Sequence, residues 1–296
     1  MIQKINYKSS NKTDEIEATI WECEDPKAIL QIAHGMSEYT NRYEDFAKFL
    51  KGKGILVAGN NHLGHGHTAK TLGFFGGGDV CEYLIEDMNY LSDYLRDRYE
   101  LPVYYLGHSM GSFILRYFIS KYPTDKAILM GTGYVDKKIA RLLVKLSKHI
   151  IKRHGEKYDS KLLYMLTVGA YQMRAPKGEV WLSRNMENVM KYKDDPYCGF
   201  NFTAEGYMVL GELLEIILDE DIISKTPKET EILFVSGAED AVGDMGKGVK
   251  KVYDFYKNLG YKNLEIEIFE EMRHEILNEK DNKKVYNRIY EFLKTR

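Results

Sequence analysis

The sequence predicts an α/β fold in which helices flank a mostly parallel central sheet and one helical insertion caps it. Short apolar runs rich in β-branched residues recur along the 296 residues, as expected for strands buried on both faces of a parallel sheet. Segments with helical spacing of apolar residues alternate with these runs, which is typical of α/β proteins. The alternation stops between residues 133 and 226, where helical patterns and one loop-like stretch occur but no convincing strand.

The predicted strands are short and mostly apolar. They comprise residues 15–24, 28–34, 54–59, 103–107, 126–131, 231–237 and 264–269. Helices are predicted where apolar residues recur every three or four positions and therefore share one helix face. Residues 83–99 and 284–294 show this spacing. Strands and helices thus follow one another in the order that a layered α/β domain requires.

The insertion is predicted to form a helical cap, residues 133–226, between two parts of one core, residues 1–132 and 227–296. Ligands of open α/β sheets bind at the carboxyl ends of the strands, so a long insertion after a strand is expected to cover that edge. The alternative is an ordinary run of peripheral helices. Helical patterns within the insertion occupy residues 136–154, 159–170 and 205–219.

Composition excludes several classes of protein. The formal charge is 42 − 44 = −2, so no basic surplus indicates nucleic-acid binding. Cys23, Cys81 and Cys198 are far apart and odd in number, which does not indicate a disulfide framework and favours a reducing compartment. The first residues contain no signal-peptide core, and no apolar run is long enough to span a membrane. We therefore expect a soluble, cytoplasmic protein.

The stretch VYYLGHSMGS, residues 103–112, contains the pattern G-x-S-x-G with Ser109 at its centre. An apolar strand precedes it and a helical pattern follows, which is the context that this motif requires. The chain must turn sharply from strand into helix, so the serine oxygen projects at the carboxyl edge of the sheet. Ser109 is therefore predicted to be a nucleophile.

A serine nucleophile needs a base, and in this fold class the chain order is serine, acid, histidine. Five of the eight histidines precede or adjoin Ser109. His149 and His154 lie among basic residues of the insertion and are expected on the surface. Only His274 follows the last predicted strand, so it is the predicted base.

The acid that orients the base should follow the preceding strand. Asp240 lies three residues past Gly237, at the end of the strand 231–237, and is the predicted acid. Its neighbours Glu239 and Asp244 are the alternatives.

Two backbone N–H groups are expected to stabilise the negative charge on the attacked carbonyl oxygen. One belongs to Met110, the residue after the nucleophile. The other belongs to Met36, in the loop His34-Gly35-Met36 after an earlier strand, where Gly35 allows a tight turn.

Several motifs together resemble the monoglyceride lipase and lysophospholipase group of α/β-hydrolases. They are HGMSEYTNRYEDFAKFL (34–50), HLGHGHT (62–68), LGHSMGS (106–112), GAEDAVG (237–243) and RHEIL (273–277), and DDPYCGFNFT (194–203) resembles the cap of bacterial members. The resemblance runs nearly end to end. It implies Ser109 as nucleophile, His274 as base, Asp240 as orienting acid, and Met36 and Met110 as oxyanion donors. It also implies hydrolysis of monoacyl lipids or similar esters.

The segment HLGHGH, residues 62–67, raises the question of a metal site, because histidine is a common metal ligand. The segment lacks the aspartate of a histidine-rich zinc loop, and no second cluster of ligands completes a site. In the resembled family this is a structural loop, in which Asn61 and Leu63 take the places of aspartate and arginine. We therefore expect neither a metal nor a cofactor.

Two other functions are compatible with these motifs. One is a peptidase or amidase with the same triad, and the other is a binding module that has lost catalysis. The cap is expected to select the substrate and to favour medium or long acyl chains, with transient contact to a membrane surface. The cap methionines are predicted to line the acyl pocket, because methionine adapts to flexible chains; they are Met165, Met173, Met186, Met190 and Met208.

Overall fold

The computed structural model describes residues 1–294, and a single eight-stranded sheet runs through its core. The strands are β1 (Ile2–Lys8), β2 (Glu15–Trp21), β3 (Ala28–Ala33), β4 (Ile55–Asn60), β5 (Val103–His108), β6 (Lys126–Met130), β7 (Glu231–Gly237) and β8 (Leu264–Phe269). They are ordered β1-β2-β4-β3-β5-β6-β7-β8. β2 pairs antiparallel with β1 and β4, and all other neighbours are parallel. The predicted α/β fold with a mostly parallel sheet is confirmed.

Helices cover both faces of this sheet and fill the segment between β6 and β7. They are α1 (Glu44–Lys51), α2 (Val80–Tyr99), α3 (Met110–Lys121), α4 (Lys137–His154), α5 (Lys161–Leu166), α6 (Val168–Arg174), α7 (Met186–Asp194), α8 (Ala204–Ile216), α9 (Glu220–Ile223), α10 (Lys247–Asn258) and α11 (Asn282–Lys294). The apolar sides of α1 and α11 pack on one face of the sheet. Those of α2, α3 and α10 pack on the other.

The first strand, β1, is absent from the sequence-based prediction. Its residues IQKINYK alternate between exposed positions and partly or fully buried ones, because β1 is an edge strand with one face in solvent. Such a strand carries no continuous apolar run, and apolar runs are the signal on which the other strands were predicted.

The segment between β6 and β7 is helical, as predicted, and only an isolated β-bridge between Asp159 and Thr203 interrupts this pattern. The expected helix over 159–170 is broken at Thr167, whose φ of −116° and ψ of −93° separate α5 from α6. The described helix α7 was not predicted. The division of the chain into core and cap remains a prediction.

Within the insertion, α4 packs lengthwise against α8. The two helices approach closely at Gly211, where an added Cβ would lie 2.8 Å from Cγ2 of Val144. α8 in turn packs on α3, the helix that follows Ser109. Among the helices of residues 1–294, none combines the length and the hydropathy that a membrane span requires. All three cysteines are free.

Candidate active site

Ser109 lies at the turn between β5 and α3, at the carboxyl edge of the sheet. Its backbone has φ 53° and ψ −121°, a region that residues with a side chain rarely adopt. The Ser109 N–H donates to the carbonyl of Met130 at 2.9 Å, which fixes the turn against β6. The sharp turn predicted from the G-x-S-x-G pattern is therefore present.

The glycines on either side of Ser109 are required by close backbone contacts. A Cβ on Gly107 would overlap the carbonyl oxygen of Gly111, and a Cβ on Gly111 would overlap that of Ala33. The helix α3 can therefore start directly beneath the end of β3. This packing sets the first N–H of α3, on Met110, beside the loop that follows β3.

The structure brings Asp240 and His274 together from the loops after β7 and β8. Nδ1 of His274 lies 2.9 Å from Oδ1 of Asp240, and both side chains are buried. Asp240 also accepts hydrogen bonds from Val242 N–H and from the Ser236 hydroxyl. Burial alone would raise the Asp240 pKa, but His274 and these donors hold it below its ordinary value.

The two alternative acids point elsewhere. Glu239 forms ion pairs with Arg184 and Arg273, and Asp244 forms one with Arg174. Both acids are partly exposed, so their charges are solvated rather than directed at a histidine. The predicted surface positions of His149 and His154 are confirmed.

The ring of His274 lies between two other aromatic rings. The His108 centroid is 4.8 Å away and the Trp181 centroid is 5.1 Å away. His108 directly precedes Ser109, whereas Trp181 belongs to the insertion. The predicted base therefore has a ring orientation that is set by both the core and the insertion.

The loop after β3 is held by hydrogen bonds on both peptide groups of Gly35. The Gly35 N–H donates to Oε1 of Glu38 at 2.6 Å, and the Gly35 carbonyl accepts from Nδ1 of His34 at 2.8 Å. In a trans peptide the C=O and the following N–H point in opposite directions. The Met36 N–H therefore points away from His34, and Met36 and Met110 both line the cavity above Ser109.

Glu38 also lines this site and is not predicted from the sequence. Its buried carboxylate accepts from Gly35 N–H, from the Tyr43 hydroxyl at 2.8 Å and from Nδ1 of His108 at 2.9 Å. Burial alone would raise the Glu38 pKa, but His108 lowers it to about 2. Burial alone would likewise lower the His108 pKa, but Glu38 raises it above its ordinary value. The pair is therefore a buried ion pair under the active site.

A second buried ion pair adjoins the predicted base. Oε2 of Glu275, the residue after His274, lies 2.5 Å from Nη2 of Arg42 and 2.6 Å from Nδ2 of Asn188. Asn188 belongs to α7, so this carboxylate links the loop after β8 to the insertion. Burial opposes the charge on Arg42, yet Glu275 and Glu38 raise its pKa.

A cavity of about 340 Å³ opens above Ser109. This volume lies within the range typical of small-molecule sites. Ser109, His274, Met36 and Met110 share its floor and walls. The insertion contributes the roof, which is largely apolar and aromatic and includes Tyr164, Val168, Tyr171, Val180, Trp181, Leu182, Val189, Tyr192 and Leu210.

The prediction that methionines of the insertion line this cavity is wrong. None of Met165, Met173, Met186, Met190 and Met208 is among the described residues that form its wall. Met173 is 70% exposed and Met186 is 53% exposed. The insertion helices turn their branched and aromatic side chains inward, and helical spacing alone does not reveal which face of a short helix meets the cavity.

The histidines of HLGHGH divide into buried and exposed ones. His62 and His65 are buried, and burial lowers the pKa of His62 to about 3 and of His65 to about 4. The His62 N–H donates to Nε2 of His34 at 3.0 Å, and Nδ1 of His65 donates to the Leu63 carbonyl at 2.9 Å. These neutral rings pack under the loop that carries Met36. His67 is instead exposed and packs against Tyr197.

Asn61 and Leu63 contribute to the same packing. Leu63 is buried, and the Asn61 side chain accepts from both the N–H and the hydroxyl of Thr40 at 3.0 Å. Among residues 1–294, no group of three or more histidines, cysteines and acids is arranged to hold a metal ion.

Comparison with known proteins extends this picture. The sequence profile of the serine aminopeptidase S33 family matches residues 24–281. The chain belongs to this family. It is 26% identical over 266 residues to a monoglyceride lipase homolog of monkeypox virus, which covers 88% of this chain and 86% of the viral protein.

Two solved structures resemble the chain over nearly its whole length. A thermostable carboxyl esterase from Bacillus coagulans, solved with glycerol, has a TM-score of 0.90 and 27% identity, covering 99% of this chain and 97% of the esterase. A lipase in an open form has a TM-score of 0.87 and 25% identity, covering 98% of this chain and 97% of the lipase. The resemblance to monoglyceride lipases and the α/β-hydrolase fold is thereby confirmed.

Replacement of Glu38 tests the buried pair. We expect Glu38→Gln to lower kcat by about tenfold to a hundredfold with little change in KM. A looser Met36 N–H gives less stabilisation to the negative charge that develops on the carbonyl oxygen only during the reaction. The free energy of unfolding should fall by about 3 kcal/mol. Steady-state kinetics and denaturant unfolding measure the two effects.

The stability difference between wild type and Glu38→Gln should depend on pH. Because the Glu38 pKa is lowered, its carboxylate stabilises the fold fully at pH values above the ordinary glutamate pKa of 4.5. This stabilisation is lost as the pH falls toward 2. Because the His108 pKa is raised, its protonated ring stabilises the fold fully at pH values below about 6.5. This stabilisation is lost as the pH rises through the pKa of His108 in the folded protein. The difference should therefore peak at about pH 5.5. Glu44→Gln, in a surface pair with Lys48, is the control and should change little. A pH-independent difference would contradict the ion pair.

Proposed function

We propose that this carboxylic ester hydrolase cleaves monoacylglycerol-like or lysophospholipid-like esters through an acyl-enzyme on Ser109. One observation carries the proposal: a strained serine at a strand-to-helix turn lines an apolar cavity whose wall also contains a histidine bonded to a buried aspartate. We assign Ser109 as nucleophile, His274 as general base and Asp240 as the acid that orients it.

In the first half of the proposed reaction, Nε2 of His274 takes the proton of the Ser109 hydroxyl as Oγ attacks the ester carbonyl carbon. The carbonyl oxygen becomes an oxyanion and accepts hydrogen bonds from the N–H groups of Met36 and Met110. The intermediate then collapses, the C–O bond to the alcohol breaks, and His274 returns the proton to the leaving alcohol oxygen. Asp240 stabilises the imidazolium that exists between these steps.

In the second half, a water molecule replaces the alcohol. His274 takes one proton from the water as its oxygen attacks the acyl carbon, and the same two N–H groups hold the new oxyanion. Collapse breaks the bond to Ser109 Oγ, which recovers its proton from His274. The products are a carboxylic acid and the free enzyme.

The shape and lining of the cavity support a lipid-like acyl group. The roof from the insertion presents mainly branched and aromatic side chains, and a flexible alkyl chain gains free energy by leaving water for such a surface. The relationship to a monoglyceride lipase homolog and to a carboxyl esterase solved with glycerol supports the same substrate class.

The family description also favours a second candidate, an aminopeptidase with the same triad. Such an enzyme must pair the free ammonium group of its substrate with a carboxylate. The carboxylates in the cavity wall belong to Glu38 and Glu275, and each already has a cationic partner, His108 and Arg42 respectively. We therefore favour the ester.

Replacement of Ser109 by alanine tests the nucleophile. Turnover of p-nitrophenyl butyrate should fall by on the order of a millionfold, because serine and histidine act as a unit. Ser120→Ala is a matched control: this buried serine lies on α3 and donates only to the Tyr117 carbonyl, so its kcat should stay near that of wild type. A Ser109→Ala protein that turns over like the control would refute the assignment.

Acyl-chain preference tests the substrate class. The value of kcat/KM should rise severalfold from acetyl to octanoyl esters, since each buried methylene contributes at most about 0.8 kcal/mol. Val168→Phe should reduce the octanoyl preference because it narrows the cavity, whereas Met173→Phe should not, because Met173 lies outside.

Two outcomes would contradict the proposed substrate class. A steady fall of kcat/KM from acetyl upward would exclude a lipid-like acyl group. A higher kcat/KM on an aminoacyl p-nitroanilide than on every ester would favour the aminopeptidase.

A further inference from the structure

Trp181 belongs to the insertion, yet its ring lies directly against the ring of His274. The two ring centroids are 5.1 Å apart and the planes meet at 39°. Trp181 is half-buried and forms part of the cavity wall. We name residues 179–185, which precede α7, the Trp181 segment.

Hydrogen bonds on both sides of the indole ring attach the Trp181 segment to the loop that follows β8. The Val180 carbonyl accepts from Nη1 of Arg273 at 2.8 Å. The Leu182 carbonyl accepts from the Glu275 N–H at 3.0 Å. The neighbours of the tryptophan are thus bonded to the neighbours of the catalytic histidine, so the two rings are held side by side.

A buried carboxylate strengthens this attachment. Glu279 accepts from the N–H groups of Arg184 at 2.9 Å and Asn185 at 3.1 Å, both in the Trp181 segment. The same carboxylate accepts from the Arg273 N–H at 3.0 Å, in the loop that follows β8. Hydrogen bonds to an ionised acceptor are stronger than those between neutral groups, so Glu279 fixes the spacing between the segment and the loop.

His274 must hold a positive charge for part of each half of the proposed reaction. His108, whose ring centroid is 4.8 Å away, is already charged through its ion pair with Glu38, and like charges repel one another. Asp240 compensates at Nδ1 of His274. An indole ring offers further compensation, because the face of an aromatic ring is partly negative and attracts a cation within about 6 Å of its centre.

We propose that Trp181 is a positioning residue that stabilises the His274 imidazolium while it holds the serine proton. The inference rests on the roles that the proposed function assigns to Ser109 and His274, but it does not depend on the identity of the substrate. The indole attracts the charged imidazole more strongly than the neutral one, so it lowers the barrier to proton transfer. The insertion thereby contributes to the chemical step as well as to the shape of the cavity.

The alternative is that Trp181 only fills space beside the base. Leucine and phenylalanine are both smaller than tryptophan, so either replacement leaves a gap, but only phenylalanine keeps an aromatic face. A packing role predicts similar losses for Trp181→Leu and Trp181→Phe. A role through the aromatic face predicts that Trp181→Phe retains most of the wild-type rate.

Reaction of Ser109 with a short-chain alkyl fluorophosphonate tests the proposal without any ester. Oγ of Ser109 forms a bond to phosphorus, Nε2 of His274 takes the hydroxyl proton, the P–F bond breaks and fluoride leaves. His274 therefore becomes charged as it would with an ester. The maximal inactivation rate kinact and the half-saturating concentration KI are measured separately, and peptide mass identifies the modified residue.

We expect Trp181→Leu to lower kinact by about threefold to thirtyfold, the range that a cation–π contact covers between exposed and desolvated sites. KI should change less, because the imidazolium does not yet exist when the probe binds. Trp181→Met, a second non-aromatic variant that adapts to irregular space, should show the same loss. Trp181→Phe should stay within about threefold of wild type. Unfolding in denaturant checks that each variant is folded.

Tyr158→Leu is the matched control. Tyr158 also belongs to the insertion and stacks on a histidine, His154, with ring centroids 4.4 Å apart, but it is not among the residues that form the described wall of the cavity. Its removal should leave both kinact and KI at their wild-type values.

The proposal is overturned if Trp181→Leu reacts as fast as wild type, or if Trp181→Leu and Trp181→Phe lose the same factor in kinact. Failure of the proposed substrate class gives a different result. A chain that hydrolyses none of the esters but shows the expected order of kinact values supports the role of Trp181 and contradicts the proposed substrate. A wild-type chain whose Ser109 does not react overturns both.

Discussion

The buried carboxylate of Glu38 links the loop after β3 to the turn at Ser109 and, through His108, to the loop that carries His274. It holds the loop after β3 through Gly35 N–H, and it holds His108, the residue before Ser109, through a charged hydrogen bond. With Nδ1 committed to Glu38, Nε2 of His108 faces the carbonyl of His274 at 3.4 Å. One ion pair thereby fixes the loop that carries Met36 and the turn at Ser109, and it contacts the loop that carries His274.

The same region contains histidines in opposite states, and their partners explain the difference. His34, His62 and His65 lie among aromatic rings and one another, and burial lowers their pKa values. His108 is equally buried, but Glu38 raises its pKa. A buried charge is tolerated where a partner compensates for lost hydration, and elsewhere the neutral ring is favoured. The loop that carries Met36 thus rests on neutral rings on one side and on an ion pair on the other.

Sequence reasoning succeeded where the signal is local or is ordered along the chain. The turn at Ser109 follows from glycines two residues away, and the meeting of Asp240 with His274 follows from strand order in a parallel sheet. Glu38 is not predicted because its partner His108 lies 70 residues away in the sequence. No sequence pattern indicates that a glutamate in a loop is buried. The prediction that methionines line the cavity is wrong, and β1 is not predicted, for the same reason. Which side of a short helix or an edge strand is buried depends on its neighbours in space.

The proposed reaction requires an oxyanion site between two loops, and one structure would test this site most directly. The protein should be reacted with an alkyl fluorophosphonate, which leaves a tetrahedral phosphorus on the nucleophile, and then crystallised. We expect phosphorus on Oγ of Ser109 and its free oxygen at about 2.7–3.1 Å from the backbone nitrogens of both Met36 and Met110. A chain that does not react at Ser109, or an adduct whose free oxygen points away from both nitrogens, would contradict the account.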